Sequence, residues 1–114
     1  MKSRAEHTAI VCQTHQLKFE ELRGWCKKRH IVAARRELWH RLLVVAWADA
    51  IMAGTEPKVM SLTAGGRYLR KDHSTVFYAL RCHSADLYGT GRKARLADMR
   101  SAYLNSLQAE RVAA

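Results

Sequence analysis

The sequence predicts an all-α protein, a small domain of about six helices. Three observations carry that expectation. Only one proline, Pro57, occurs in 114 residues, so helices can run almost anywhere without interruption. Apolar residues recur at three- and four-residue spacing, and the alternation of a half-buried strand is scarce. The length suffices for one hydrophobic core and leaves nothing for a second.

The elements follow in order. A first helix from Ser3 to His15 puts Ala9, Val11 and Cys12 near one face. After a turn at Gln16 to Lys18, the short FEEL carries Phe19 and Leu22 three residues apart. A spine helix is expected from about Ile31 to Ala53, because Leu38, Trp39, Leu42, Val45 and Ala46 fall on adjacent turns. It ends at Gly54, in the position that suits a left-handed cap. Ser61 can cap a helix through Leu69, and Asp72 another through about Leu87. Gly65 and Gly66 in the first of these cost roughly 1 kcal/mol each relative to Ala, which predicts fraying or a bend. Gly89-Thr90-Gly91 precedes a last helix, about residues 92–111, with Leu96, Met99, Tyr103 and Leu107. The domain core is expected in about residues 5–88, with that last helix as an addition.

Composition narrows the function. A formal charge of +10 favours a polyanionic partner, nucleic acid ahead of an anionic membrane surface. The apolar run LLVVAWADAIMA is broken by Asp49 and falls short of the ~18–20 residues that cross a bilayer. The start, MKSRAEHTA, lacks the apolar centre of a signal peptide, so a cytoplasmic, nucleoid-associated protein is expected. Cys12, Cys26 and Cys82 are odd in number and widely spaced, unlike a disulfide framework. Cys12-x-x-His15 and Cys82-His83 lack the paired spacing of a structural zinc site. His30, His40 and Asp49 have no nucleophile at a persuasive spacing, so neither catalysis nor a cofactor or small-molecule substrate is expected.

The stretch KDHSTVFYAL draws the positive reading. Two helices, Ser61–Leu69 and Asp72–Leu87, joined by only a residue or two, make a helix-turn-helix with Asp72, His73, Ser74 and Thr75 heading its second helix. In that motif the start of the second helix meets the base edges of a major groove, and these short groups can bond to bases and phosphates. The same residue types also cap helices, so a purely local role for Asp72, Ser74 and Thr75 stays open beside it.

Asp72-His73-Ser74-Thr75-Val76 resembles the Asp-His-Thr-Thr-Val signature of the DNA-binding domain of DnaA, the bacterial chromosomal replication initiator, with Ser in place of the first Thr. The resemblance continues outward through Ser61-Leu62, Gly66-Arg67 and Leu69. VCQTHQLKFEEL is similar to the family's opening helix, turn and second helix, and KKRHIVAAR to its basic loop and following helix start. Together these cover residues 9 to 88 in the family's order. Gly65 replaces an apolar residue, one residue is missing before Asp72, and the segment from Arg36 to Ser61 is longer. No Gly-x-x-x-x-Gly-Lys-Ser/Thr loop accompanies it, so the initiator's motor is not expected.

The resemblance implies the fold of the DnaA DNA-binding domain, which is TrpR-like. It also implies a double-stranded DNA partner and a contact surface in two parts. Lys27 corresponds to a loop residue that reaches a minor groove, Arg35 to a helix-start arginine that grips phosphate, and Arg36 to the polar residue after it; Lys28 and Arg29 lie between. Leu62, Thr63 and Lys71, with the 72–75 block, complete the expected DNA-contacting set. The expected function is sequence-preferring DNA binding in transcription or replication initiation. The alternative is an architectural or protein-interaction module that binds DNA without sequence preference. Trp25, Trp39 and Trp47 could each stack on bases, yet Trp39 and Trp47 fall on the spine and read as core, whereas Trp25, beside the basic loop, fits either role.

Overall fold

A computed structural model describes residues 2–113. Every regular element among them is helical. The first is α1 (Arg4–His15), capped by Ser3, whose hydroxyl accepts from the Glu6 amide while the Glu6 carboxylate accepts from the Ser3 amide. It ends at Gln16, in the left-handed region at φ 54°. Its inward face is His7, Thr8 and Val11, with Cys12 half-buried; Ala9, expected inside, is exposed. The one-turn α2 (Phe19–Arg23) follows, with Leu22 buried.

Three consecutive stretches, Arg29–His40, Arg41–Val45 and Ala46–Met52, run on with right-handed helical backbone as one helix, α3. The middle stretch is a π-turn, where the Ala46 amide donates to the Arg41 carbonyl five residues back. Before it, one stripe is buried: Ile31, Ala34, Leu38 and Trp39. Within it and beyond, burial spreads round the helix to Leu42, Leu43, Val44, Ala48 and Ala50, because α1 and the later helices Leu62–Tyr68 and Leu96–Ala113 all pack against the π-turn. Val45 and Ala46, expected in the stripe, are consequently only half-buried. Gly54 stands in the left-handed region at φ 72°, just past the helix end.

The remaining helices are α4 (Leu62–Tyr68), α5 (His73–Tyr88) and α6 (Leu96–Ala113). The six match the count read from sequence, and α6 starts later than expected because residues 92–95 form a turn. A single hydrophobic cluster draws on every helix: Val11 and Leu22, the α3 residues from Ala34 to Val44, Leu69 with Leu62 and Tyr68 of α4 against it, Val76 and Leu80, and Met99 of α6. Helix α6 is therefore part of the core and not an appendage to it. Arg100 Nε donates to the Leu43 carbonyl inside the π-turn at 3.0 Å, fixing α6 to the spine. No helix among the described residues is long and apolar enough to cross a membrane.

Candidate nucleic-acid interface

The pair α4–α5 is held by close backbone approach. Ser61 Oγ accepts from the Ala64 amide and caps α4, which runs unbroken through its two glycines. Both are buried for distinct reasons. A Cβ on Gly66 would sit 2.4 Å from the Lys71 carbonyl oxygen, so only glycine lets the chain double back there. A Cβ on Gly65 would meet only side-chain atoms, Leu43 Cδ1 at 3.3 Å and Trp39 Cδ1 at 3.5 Å. The Gly65 carbonyl accepts from Trp39 Nε1 at 2.9 Å, tying α4 to the spine. Only Arg70 and Lys71 separate the caps Leu69 and Asp72, the short joint expected from sequence, with Arg70 in the left-handed region at φ 57°.

Asp72 caps α5, accepting from the Ser74 amide at 3.1 Å and from the Ser74 hydroxyl. These bonds hold its carboxyl below the ordinary 3.8. His73 Nδ1 lies 3.4 Å from the other Asp72 oxygen. Capping is thus present, while His73, Ser74 and Thr75 all stay exposed at the helix start. Val76, Ala79 and Leu80 turn inward and seat the helix on α3.

Two residues expected to meet DNA hold the scaffold instead. Arg35 is only 6% exposed. Its Nε donates to the Leu22 carbonyl at 2.7 Å, Nη1 to Cys26 at 2.9 Å, and Nη2 to Gly24 at 2.7 Å and Glu21 at 3.4 Å. A guanidinium presents its donors as a rigid fork, and here that fork gathers the carbonyls at the end of α2 and in the loop beyond. Lys71 joins it: Nζ donates to Gly24 at 2.8 Å, Leu69 at 3.2 Å and Arg23 at 3.3 Å. Burial, then the neighbouring Arg35 and Arg70, lower its pKa. Leu62 is half-buried against the core, whereas Thr63 is exposed. Sequence spacing finds cations but not their acceptors, which here are backbone carbonyls far away along the chain.

This clamp fixes the basic loop beside α5. Lys27, Lys28 and Arg29 are exposed, and Arg36 is half-buried. Between loop and helix lies a groove of about 430 Å³, floored by Val32, Trp39 and Ala79 and edged by Lys27, Arg36 and Thr75. Two of its aromatic walls stand in solvent: Trp25 at 82% exposure and Tyr78 at 66%. Lys71 Nζ sits 4.9 Å from the centre of the Trp25 ring. Tyr78 was not among the expected contacts, although its position three residues after Thr75 puts it on the same helical face. A second groove, about 600 Å³, continues past Tyr78 and Arg36 to Arg81 and Arg92. Arg81 is anchored there, its guanidinium 4.1 Å over Phe77 and its Nε donating to Ala94.

Other candidate chemistry stays apart from this face. His15 pairs with Glu37 and leaves Cys12 alone, and no group of three or more metal-binding side chains occurs among the described residues. His40 is buried against His83, Tyr88 and Tyr103. Burial, helped by His83 and Arg41, pushes its pKa down to about 3, so it stays neutral. No protein-family model, curated protein or solved structure matches the chain.

Proposed function

We propose that the chain binds double-stranded DNA with sequence preference, through a domain resembling the DNA-binding domain of DnaA. In this reading α4 and α5 act as a helix-turn-helix, the start of α5 enters a major groove, and the loop 27–29 with Arg36 follows the adjacent backbone and minor groove. The observation that carries it is the exposed polar start of α5, His73, Ser74 and Thr75, of which Thr75 lines the same groove as Lys27 and Arg36. The net charge of +10 supports a polyanionic partner. A role in regulating transcription or replication initiation at the nucleoid follows from the resemblance.

Selection of binding sites from random duplexes tests this reading, with one enriched motif as the expected result. No enrichment would favour the architectural alternative. With Arg35 and Lys71 engaged internally, Lys27, Lys28, Arg29 and Arg36 can neutralise roughly four phosphates, so log affinity should fall against log salt with a slope of about −4. A slope near zero would remove DNA as the partner. His73→Ala and Ser74→Ala should each cost roughly 1–3 kcal/mol on the selected site and little on scrambled DNA. Equal losses on both would sink the assignment of α5 as the reading helix.

A further inference from the structure

The groove between the basic loop and α5 has features that a paired duplex does not use. Its floor is apolar, from Val32 and Ala79 and the edge of Trp39, and phosphates would not be solvated over it. Two of the cations that line it, Arg35 and Lys71, have donors committed to carbonyls. The exposed walls are aromatic faces, Trp25 and Tyr78, and the free charges, Lys27 and Arg36, lie at the edges. A volume of about 430 Å³ falls in the range of small-ligand pockets.

A base within a duplex offers a groove only its edge, because its π-faces are covered by its neighbours in the stack. An unpaired base offers both faces, and aromatic side chains stack on them whatever the base, while cations alongside hold the phosphates. Resting on the DNA-binding reading above, we propose that this groove takes one unpaired nucleobase of bound DNA, stacked against Trp25 and Tyr78, with its flanking phosphates on Lys27 and Arg36. The protein then prefers a duplex containing a bulged or extruded base over the fully paired one. Trp25 comes prepared for this: Lys71 lies over its ring, and the Arg35 and Lys71 bonds to Gly24 hold the backbone next to it. The loop therefore gives up little freedom on binding.

The test uses the full chain and one duplex sequence in two forms, fully paired and with a single bulged 2-aminopurine. The wild type should bind the bulged form about tenfold more tightly or better, and stacking should quench the 2-aminopurine fluorescence. Trp25→Ala and Tyr78→Ala should each bring the affinity ratio towards one and relieve the quenching, whereas Trp25→Phe should keep most of both. Both side chains are exposed, so melting curves should show the variants folded. A wild-type ratio near one with intact duplex binding overturns this inference and leaves the DNA-binding reading standing. A ratio unchanged in both alanine variants also overturns it, since the preference then arises elsewhere. Failure to bind either form overturns both readings.

Discussion

Arg35 aims its guanidinium at four carbonyls of its own chain, so its loss should appear first as instability. Removing this charged donor strips the Leu22 and Cys26 carbonyls of it, while Gly24 keeps Lys71, and Arg35→Ala should cost roughly 2–4 kcal/mol in urea unfolding. Arg35→Lys should rescue little, because one ammonium cannot reproduce the fork. A cost under about 0.5 kcal/mol, the level of an ordinary surface change, would return Arg35 to the surface role expected from sequence. The histidines give a second expectation at this scale. His7, 2% exposed, has no protein partner for either ring nitrogen, and burial followed by the nearby Arg41 lowers its pKa. His83 is lowered mainly by burial, and His40 falls to about 3. Their folded pKa values lie below the ordinary 6.5, so stability is full above pH 6.5 and is lost as pH falls below it. Between pH 6.5 and about 3, His40 alone should cost about 1.4 kcal/mol per pH unit. Melting temperatures measured from pH 7.5 down to 4.5 should hold level to about pH 6.5 and decline below it, and a flat profile over the whole range would contradict the buried neutral assignment.

At the scale of elements, the two glycines of α4 make opposite predictions. Gly66→Ala drives a Cβ into the Lys71 backbone carbonyl, which cannot yield without opening the α4–α5 turn, and should cost about 3 kcal/mol or more. Gly65→Ala meets only side-chain atoms, chiefly of Leu43, and gains helix propensity of about 1 kcal/mol, so its net effect should stay within about 1 kcal/mol of zero. Thermal melts of the two variants separate these outcomes; similar losses for both would mean that the close turn is not what requires glycine. The expectation of a frayed helix came from summing local propensities. What overrides them is the Trp39 bond to Gly65 and the contact with Lys71, both made by residues outside α4.

At the scale of the whole molecule, α6 is the test of what the core includes. Met99 is fully buried, and Arg100 bonds the π-turn carbonyl of Leu43. Met99→Ala should therefore cost roughly 2–5 kcal/mol, as for other core deletions. A chain ending at Gly89 should melt far below the full protein. Unchanged melting would make α6 the addition that the sequence suggested. The same helix brings a charge consequence, since the turn before it carries Arg92 to the groove shared with Arg36 and Arg81, extending the cationic face past α5.

The all-helical class, the six helices, the Ser61 and Asp72 caps and the left-handed Gly54 were all legible in the sequence by itself. Each depends on residues within a few positions of one another, where spacing and side-chain type determine the local hydrogen bond. The exposed polar start of α5 was legible for the same reason. Only the tertiary structure decided which basic residues are free. Arg35 and Lys71 look no different in sequence from Arg36 and Lys27, and their partners are carbonyls up to 48 positions away. The spread of burial round α3 from its π-turn onward and the inclusion of α6 in the core were likewise decided by packing between distant segments. The groove walled by Trp25 and Tyr78 belongs to this second kind. It exists because two cations draw a loop against a helix about 50 residues further along, and no local pattern encodes that distance.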